Sequence, residues 1–292
     1  QKRSERKNNM EIIVGQTSGF CFGVENAVSG AQKVLNDNGS VYCLGELIHN
    51  EQVVKSLEDC GMITVDNLND VPDGEKVIFR AHGEAKNVYE LAQQRNLKVF
   101  DFTCPKVKAI HIKVEREKEK SFIIIIGKKN HPEIIGTKGF AGENGYVIED
   151  EDDILDAYME YEKTNLGRVY VFSQTTFSSS KFDKIVEEIQ LNFYEADVFV
   201  DKTICDSTEN RQQETREISK KVNKMIIIGG KNSSNTKELA KVAEENCKQI
   251  FFVQTIADLK DIEFSKNDKI GIMAGASTPQ KNVEQIVDFL KA

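Results

Sequence analysis

The sequence has 292 residues, a formal net charge of −8, 39% hydrophobic residues and 29% charged residues. This balance is typical of a folded globular protein and excludes the disordered and fibrous classes. The acidic charge argues against nucleic acid as a partner, because phosphate backbones are bound by clustered Lys and Arg. No apolar run approaches the roughly 20 residues that cross a bilayer, so we expect no membrane anchor. At roughly 150 residues per domain, the length alone favours two domains.

Residues 1–9 are basic and polar, and they lack the apolar stretch of a secretory signal. We expect a tail or an expression remnant there, and a cytoplasmic protein. Thiols stay reduced in that compartment, so the six cysteines of the chain should be buried, metal-bound or catalytic rather than paired.

From Ile12 onward, short apolar runs alternate with amphipathic stretches. Several of the runs are β-branched and too short for helices, which predicts strands that are covered on both faces. The predicted strands are Ile12–Val14, Val41–Leu44, Lys76–Phe79, Lys98–Phe100, Phe122–Ile126, Val169–Phe172, Met225–Ile228, Ile250–Val253 and Lys269–Met273. Between them, Asn50–Cys60 and Thr236–Cys247 carry apolar side chains at helical spacing. The alternation predicts an α/β fold with mostly parallel sheets.

Three cysteines, Cys21, Cys104 and Cys205, share one context, with a predicted strand before them and a predicted helix start after them. A cysteine at a helix N-terminus faces unpaired N–H groups and the positive end of the helix dipole, both of which favour the thiolate. The remaining cysteines fall inside a strand or on the apolar face of a helix, where we expect small buried side chains. They are Cys43, Cys60 and Cys247.

Three separated cysteines leave more than one kind of site open. No CxxC pair is present, which disfavours structural zinc, and a redox disulfide uses two cysteines and leaves one over. Three converging thiolates suit an iron–sulfur cluster in which one iron lacks a protein ligand. Such an iron is a Lewis acid that can bind a substrate oxygen and pass electrons to it.

A second set of residues in the turns after strands consists of short hydrogen-bond donors. They are His49, His82, His131, Ser233, Ser234, Asn235 and Ser277. Helix N-termini with such side chains form a cradle for a phosphate or diphosphate, although each Ser or Asn taken singly is an ordinary helix cap. No GxxxxGK[ST] P-loop is present, which argues against nucleotide hydrolysis.

Glu133 is a candidate proton donor, because a closed pocket would raise the pKa of its carboxyl towards neutrality. Thr175 and Thr176 are candidates for orienting a substrate hydroxyl and relaying protons to it. The alternative for Glu133 is a solvated loop carboxylate. His111 lies in the middle of a predicted helix, and we expect a structural role for it.

The turns contain a set of motifs in a fixed order. They are Gly19-Phe20-Cys21-Phe22-Gly23-Val24, His49-Asn50, Ala81-His82-Gly83, Thr103-Cys104-Pro105, His131-Pro132-Glu133, Gln174-Thr175-Thr176, Asn210-Arg211-Gln212, Lys231-Asn232-Ser233-Ser234-Asn235 and Gly275-Ala276-Ser277. Together they resemble the 4-hydroxy-3-methylbut-2-enyl diphosphate reductase family over nearly the full chain. The resemblance implies three similar α/β subdomains in a pseudo-threefold arrangement around a central iron–sulfur cluster. We expect these subdomains at residues 10–104, 105–203 and 204–292.

The resemblance also implies an activity, the last step of the non-mevalonate isoprenoid pathway. In that reaction an allylic hydroxyl is removed reductively, which yields isopentenyl and dimethylallyl diphosphates. It implies that Cys21, Cys104 and Cys205 hold a [4Fe–4S] cluster, which becomes [3Fe–4S] if the open iron is lost, and that the substrate hydroxyl binds that iron. Ferredoxin or flavodoxin is implied as the electron donor, and we expect a monomer.

By the same resemblance, the turn donors bind the diphosphate of the substrate. These residues are His49, His82, His131, Ser233, Ser234, Asn235 and Ser277. His131 would also take part in proton delivery, Glu133 would supply protons towards the leaving hydroxyl, and Thr175 would position that hydroxyl. Two other functions stay open, a non-redox iron–sulfur dehydratase and a cluster-bearing sensor that binds a regulatory partner.

Overall fold

The computed structural model describes residues 10–292, and within them strands and helices alternate along the chain. The strands are β1 (Glu11–Val14), β2 (Val41–Leu44), β3 (Met62–Val65), β4 (Lys76–Phe79), β5 (Lys98–Asp101), β6 (Phe122–Ile126), β7 (Gly145–Ile148), β8 (Arg168–Ser173), β9 (Asp197–Val200), β10 (Lys224–Ile228), β11 (Gln249–Val253) and β12 (Lys269–Ala274). The α-helices are α1 (Phe22–Asn38), α2 (Glu51–Asp59), α3 (Lys86–Gln94), α4 (Pro105–Glu117), α5 (Pro132–Ala141), α6 (Ile154–Glu162), α7 (Ser179–Asn192), α8 (Asp206–Ser219), α9 (Ser234–Glu244) and α10 (Gln280–Lys291). None of these helices is long and apolar enough to cross a membrane.

The strands form three parallel four-stranded sheets, which confirms the predicted α/β class. The first sheet has the order β3-β2-β4-β5 and the middle sheet the order β7-β6-β8-β9. The last sheet has the order β11-β10-β12-β1. In the first and middle sheets the strand that comes first along the chain lies second in space, and the third and fourth strands continue from it. In the last sheet β10, β11 and β12 repeat this order. In the last sheet, β1 takes the place of the fourth strand.

The position of β1 differs from the prediction that residues 10–104 form one subdomain. Glu11–Val14 pairs with β12 of the last sheet, in the register Glu11↔Lys269 to Val14↔Ile272. Without β1, the buried strand β12 would have unpaired N–H and C=O groups along one edge, which is costly. The apolar pattern of residues 12–14 reveals a strand but not its partner, so this pairing lies outside local sequence reasoning. The other subdomain boundaries stay a prediction.

Apolar runs at the centre of each sheet build the core. The five residues of β6 are at most 2% exposed, and they alternate between the two faces of the middle sheet. Phe122, Ile124 and Ile126 pack in one cluster with residues of α6 and α7, and Ile123 and Ile125 pack in another with residues of α4 and α5. Each such side chain contributes roughly 1.5–3 kcal/mol on burial, which explains a run without polar alternation.

The described residues divide into two compact units. One comprises residues 22–205 and contains the first and middle sheets. The other joins the described residues up to Cys21 with Asp206–Ala292 and contains the last sheet.

All nine predicted strands are present, and the structure adds β3, β7 and β9. These three lie at sheet edges and none of them is buried along its whole length, so they lack the continuous buried apolar runs that identify central strands such as β6. The two predicted helices are present as α2 and α9 with shifted ends.

Candidate active site

Cys21, Cys104 and Cys205 occupy the same position in the three sheets. Each follows the fourth strand of its sheet and directly precedes the helix that leaves that sheet. Those strands are β1, β5 and β9, and those helices are α1, α4 and α8. The predicted context, a strand before and a helix start after, is confirmed at all three cysteines. Pro105 occupies the first turn of α4, where its missing N–H group is not needed.

The backbone of each cysteine is also held in the same way. Its N–H group donates to the carbonyl oxygen of the residue two positions after the third strand of the sheet, at 3.0 to 3.1 Å. The three acceptors are Ala276 for Cys21, Ala81 for Cys104 and Thr175 for Cys205. Because the bond recurs at equivalent points of three sheets, the fold rather than the local sequence fixes these cysteines.

The three thiols suit a cluster ligand set. All three side chains are of intermediate exposure and form no disulfide, and thiolates are the usual protein ligands of iron–sulfur clusters. Gly23 packs so closely on Cys104 that a Cβ there would lie 2.6 Å from Cys104 Sγ, which only glycine permits. Cys104 and Cys205 belong to the unit of residues 22–205, and Cys21 belongs to the unit of the last sheet.

The other cysteines divide into two buried residues and one exposed residue. Cys43 and Cys247 are 0% and 3% exposed, as expected for packing residues. Burial raises the pKa of the Cys43 thiol to about 12, so this thiol stays protonated and is a poor metal ligand. The prediction of a buried side chain is wrong for Cys60, which is exposed. Helix α2 ends at Asp59, and Cys60 follows it as the cap residue rather than lying on the apolar face.

Three imidazoles lie together in the unit of residues 22–205. The ring centroids of His49 and His82 are 4.2 Å apart, and the ring of His131 lies 5.2 Å from His49 and 5.4 Å from His82. The loop after β2 carries His49, the loop after β4 carries His82 and the loop after β6 carries His131. One ring nitrogen from each histidine lies within 4.8 Å of the other two, so the three imidazoles could together bind a metal ion or an anion.

The hydrogen bonding of His131 favours an anion over a metal ion as the ligand of the three imidazoles. Its Nδ1 accepts a hydrogen bond from the backbone N–H of Glu133 at 3.2 Å. The proton of the neutral ring therefore lies on Nε2, which makes Nε2 a hydrogen-bond donor and not a metal ligand. His49 Nδ1 lies 3.5 Å from Glu46 Oε2. The three imidazoles therefore fit a ligand that accepts hydrogen bonds, such as a phosphate oxygen.

Burial keeps two of these rings neutral at pH 7. Burial and the neighbouring His49 lower the pKa of His131 to about 3, and they also lower the pKa of His82 well below its usual value. The guanidinium of Arg80 contributes to both shifts, and the charge of Lys128 also lowers the pKa of His131. Arg80 is paired with buried Glu84 at 2.8 Å between Nε and Oε1. Sequence reasoning missed this pair, although Arg80 stands directly before Ala81-His82-Gly83.

Glu133 and Thr175 form a buried proton site. The backbone N–H of Thr175 donates to Glu133 Oε1 at 2.6 Å, and its hydroxyl donates to Oε2 at 2.7 Å. The Glu133 side chain lies in the first turn of α5 and is 3% exposed, so the alternative of a solvated loop carboxylate is wrong. Burial raises the pKa of Glu133 to about 7, although the two hydrogen bonds oppose the rise. Near neutral pH this carboxyl can therefore both hold and release a proton.

Gln174 connects the loop after β6, which leads to Glu133, with the loop after β8, which carries Thr175. Its Oε1 accepts from the backbone N–H of Lys128 at 3.1 Å, and its Nε2 donates to Thr176 Oγ1 at 2.8 Å. Lys128 precedes His131 in the loop after β6, so one buried amide holds both loops. The bond to Lys128 spans 46 residues, and no local pattern indicates it.

The unit of the last sheet carries the remaining predicted donors at the start of α9 and, for Ser277, in the loop after β12. Ser233, Ser234, Asn235 and Ser277 are 3% to 6% exposed. Ser233 caps the helix by accepting the backbone N–H of Thr236 at 3.2 Å. The side-chain oxygen and nitrogen of Asn235 are buried without a hydrogen-bond partner among the described residues. A buried carboxamide without partners is costly, which indicates that a ligand completes this site.

Residues 12–291 match the family model of the LytB protein. The 4-hydroxy-3-methylbut-2-enyl diphosphate reductase of Caldanaerobacter subterraneus subsp. tengcongensis is 37% identical over 288 residues, which cover 97% of both chains.

Two solved structures are also similar. One is the E-1-hydroxy-2-methyl-but-2-enyl-4-diphosphate reductase from Plasmodium falciparum, with a TM-score of 0.86, 31% identity and coverage of 97% of this chain and 89% of that one. The other is an (E)-4-hydroxy-3-methyl-but-2-enyl diphosphate reductase described as the terminal enzyme of the non-mevalonate pathway, with a TM-score of 0.69, 36% identity and coverage of 96% and 98%. The chain belongs to the LytB family.

Proposed function

We propose that this chain is a 4-hydroxy-3-methylbut-2-enyl diphosphate reductase whose [4Fe–4S] cluster is held by Cys21, Cys104 and Cys205. The observation that carries the proposal is the repetition of one cysteine position in three sheets, with the same backbone hydrogen bond each time. The names of the relatives supply the reaction. The donors and the buried acid described above supply the chemistry that this reaction needs.

The reaction removes a hydroxyl group by reduction. The substrate takes up two electrons and two protons, its C–O bond breaks, and the products are one molecule of water and isopentenyl or dimethylallyl diphosphate. When bound, the cluster would supply the electrons and, at an iron without a protein ligand, a Lewis-acid site for the substrate hydroxyl. The rest of the task, which is to bind the diphosphate and to deliver protons, falls to the residues of the chain.

Side-chain hydrogen-bond donors bind the diphosphate in this proposal. Hydrogen bonds from neutral N–H and O–H groups to an anion are charge-assisted and contribute roughly 1.5–3 kcal/mol each. The donors from the unit of residues 22–205 are His49, His82 and His131, and those from the unit of the last sheet are Ser233, Ser234, Asn235 and Ser277. The carboxamide of Asn235 gains the partner that it otherwise lacks.

Glu133 and Thr175 deliver the proton that turns the leaving hydroxyl into water. Protonated Glu133 donates through Oε2 to the hydroxyl oxygen of Thr175, which passes its own proton to the substrate oxygen. The 2.7 Å separation of these two oxygens suits such a transfer. His131, whose Nε2 carries a proton, assists from the diphosphate side.

The electrons come from a one-electron carrier such as ferredoxin or flavodoxin. We place the enzyme in the cytoplasm, where cysteine ligands stay reduced, and we propose that it acts as a monomer.

Cysteine variants of the anaerobically purified protein test the ligand assignment. We expect the wild type to contain iron and sulfide, and we expect Cys21→Ser, Cys104→Ser and Cys205→Ser each to lose turnover and most of the cluster. Cys60→Ser is the matched control, because it changes an exposed thiol at a helix end and should keep the cluster. A colourless wild type with stoichiometric zinc, or full turnover in any of the three variants, would contradict the proposal.

A further inference from the structure

Helix α8 holds the loop that leads to Cys21. Glu214 Oε1 accepts the backbone N–H of Gln16 at 2.7 Å, and Glu214 Oε2 accepts the backbone N–H and the hydroxyl of Thr17 at 2.9 and 2.5 Å. One turn earlier on the helix, Arg211 Nη2 donates to the carbonyl oxygen of Gly19 at 2.8 Å. These bonds join residues that are 192 to 198 positions apart. We call Arg211 and Glu214, with the three residues that they hold, the α8 clasp.

Arg211 also holds the start of its own helix. Its Nη1 donates to the carbonyl oxygen of Ser207 at 3.0 Å and to the Ser207 hydroxyl. One guanidinium therefore bonds to the residue two positions before Cys21 and to the residue two positions after Cys205. A guanidinium is planar and rigid, so it fixes the separation of these two backbone segments more closely than a flexible ammonium can.

The charges of the clasp strengthen its hydrogen bonds. Glu214 is partly buried, which opposes ionisation, but hydrogen bonds from Thr17 and Gln16 and the charge of Arg211 lower the pKa of Glu214. Bonds that involve an ionised group are shorter and stronger than neutral ones. Gly19 adopts a φ of +109°, which favours glycine, and its carbonyl oxygen reaches Arg211 in that conformation.

The α8 clasp fixes the longest of the three loops that lead to the site cysteines. Two residues separate β5 from Cys104, four separate β9 from Cys205, and six separate β1 from Cys21. The shorter loops are fixed by their own threonines: the Thr103 hydroxyl donates to Asp101 Oδ1 at 2.5 Å, and the Thr203 hydroxyl donates to the Ser173 carbonyl at 2.6 Å. In the longest loop Thr17 has the corresponding role, and its acceptor comes from α8.

We propose that Arg211 and Glu214 are positioning residues that hold the backbone beside two cluster ligands before the cluster is present. This inference rests on the proposed function, because it takes Cys21 and Cys205 as ligands. Neither residue needs to touch the cluster or the substrate. Their contribution is that the ligands are preorganised, so the loaded protein retains its cluster. Partners that orient metal ligands in this way typically change metal affinity by about 10- to 100-fold when they are mutated.

The test compares Arg211→Lys and Glu214→Gln with the control Arg216→Lys. Arg216 lies on the same helix, but it is partly exposed and pairs with Glu245 at 3.1 Å. The holoproteins are prepared anaerobically, and the decay of the cluster absorbance is followed in the presence of an iron chelator. We expect decay about 10- to 100-fold faster in the two clasp variants and unchanged in the control. Thermal unfolding of each cluster-free protein should differ little from that of the wild type.

The outcomes separate this proposal from the proposed function. If both clasp variants keep their cluster as long as the wild type, the positioning role is wrong. If they decay faster only because the cluster-free protein is itself largely unfolded, the role is structural and the proposal is again wrong. If the wild type binds no iron and sulfide, the proposed function fails first. Inorganic diphosphate binding should be unchanged in Glu214→Gln, because the clasp is not among the donors.

Discussion

The middle and last sheets place different chemistry at one equivalent position. Glu133 lies seven residues after β6 and Asn235 lies seven residues after β10, each in the first turn of the following helix. Both carboxyl oxygens of Glu133 accept hydrogen bonds, one from the backbone N–H and one from the hydroxyl of Thr175. In the last sheet the residue equivalent to Thr175 is Ala276, which has no hydroxyl, and the buried Asn235 carboxamide has no hydrogen-bond partner among the described residues.

This difference separates proton chemistry from binding. A buried carboxyl with a hydroxyl partner has an elevated pKa and a route for its proton. A buried carboxamide cannot titrate, so its unsatisfied groups can only bind a ligand. The fold supplies the same position in both sheets, and we propose that a single residue type with its neighbour decides which task that position performs.

The largest effect is expected for Glu133→Gln, which removes the proton and keeps the shape. We expect turnover to fall by about 10²- to 10⁴-fold, the usual contribution of a general acid, while the iron and sulfide content is unchanged. Steady-state kinetics with a chemical reductant measure the loss. Glu143→Gln is the control, because Glu143 follows α5 on the surface. Turnover near that of the wild type in Glu133→Gln would remove the proton role.

A smaller effect is expected for Asn235→Ala, which should weaken the binding of diphosphate without lowering the stability of the protein. The affinity for inorganic diphosphate should fall by about 10- to 100-fold, because a hydrogen bond to a charged ligand contributes roughly 1.5–3 kcal/mol. The free energy of unfolding should stay the same or rise, because the variant removes a buried group that has no partner. Calorimetric titration and thermal unfolding measure the two quantities. A loss of stability without a loss of affinity would make Asn235 a packing residue.

Stability should depend on pH through Glu133. Its pKa rises from 4.5 to about 7 on folding, so the folded protein binds a proton that the unfolded chain releases between these values. The contribution is present below pH 4.5 and is lost as the pH rises through about 7. The unfolding free energy of the wild type, measured from pH 4.5 to 7.5, should therefore decline relative to that of Glu133→Gln. A constant difference between the two proteins would show that Glu133 is ionised throughout.

The smallest effect is expected for Thr175→Val on the pH profile of the residual activity. The hydroxyl lowers the pKa of Glu133, so its loss should raise that pKa further and move the alkaline limb of kcat/KM to higher pH. Thr175→Ser keeps the hydroxyl and should restore the profile of the wild type. An alkaline limb that does not move in Thr175→Val would show that another group controls it.

Local sequence patterns predicted the central strands and the context of the three site cysteines. A strand such as β6 can be recognised from its five consecutive apolar residues, and Pro105 indicates the start of α4. The pairing of β1 with β12 and the contacts of Arg211 with Gly19 could not be predicted, because both join residues about 190 or more positions apart. The orphaned carboxamide of Asn235 also needed the structure, since a sequence shows a residue type but not its missing partner.

If this chain carries out a reduction, each turnover must consume electrons in a fixed ratio to product, and that ratio can be measured. The holoprotein is incubated anaerobically with 4-hydroxy-3-methylbut-2-enyl diphosphate and a measured amount of a one-electron reductant, and the isopentenyl and dimethylallyl diphosphates formed are quantified. We expect two electrons to be consumed for each molecule of product, and no product to form without the reductant. Turnover that continues without any electron donor would contradict this expectation and would indicate a non-redox dehydratase.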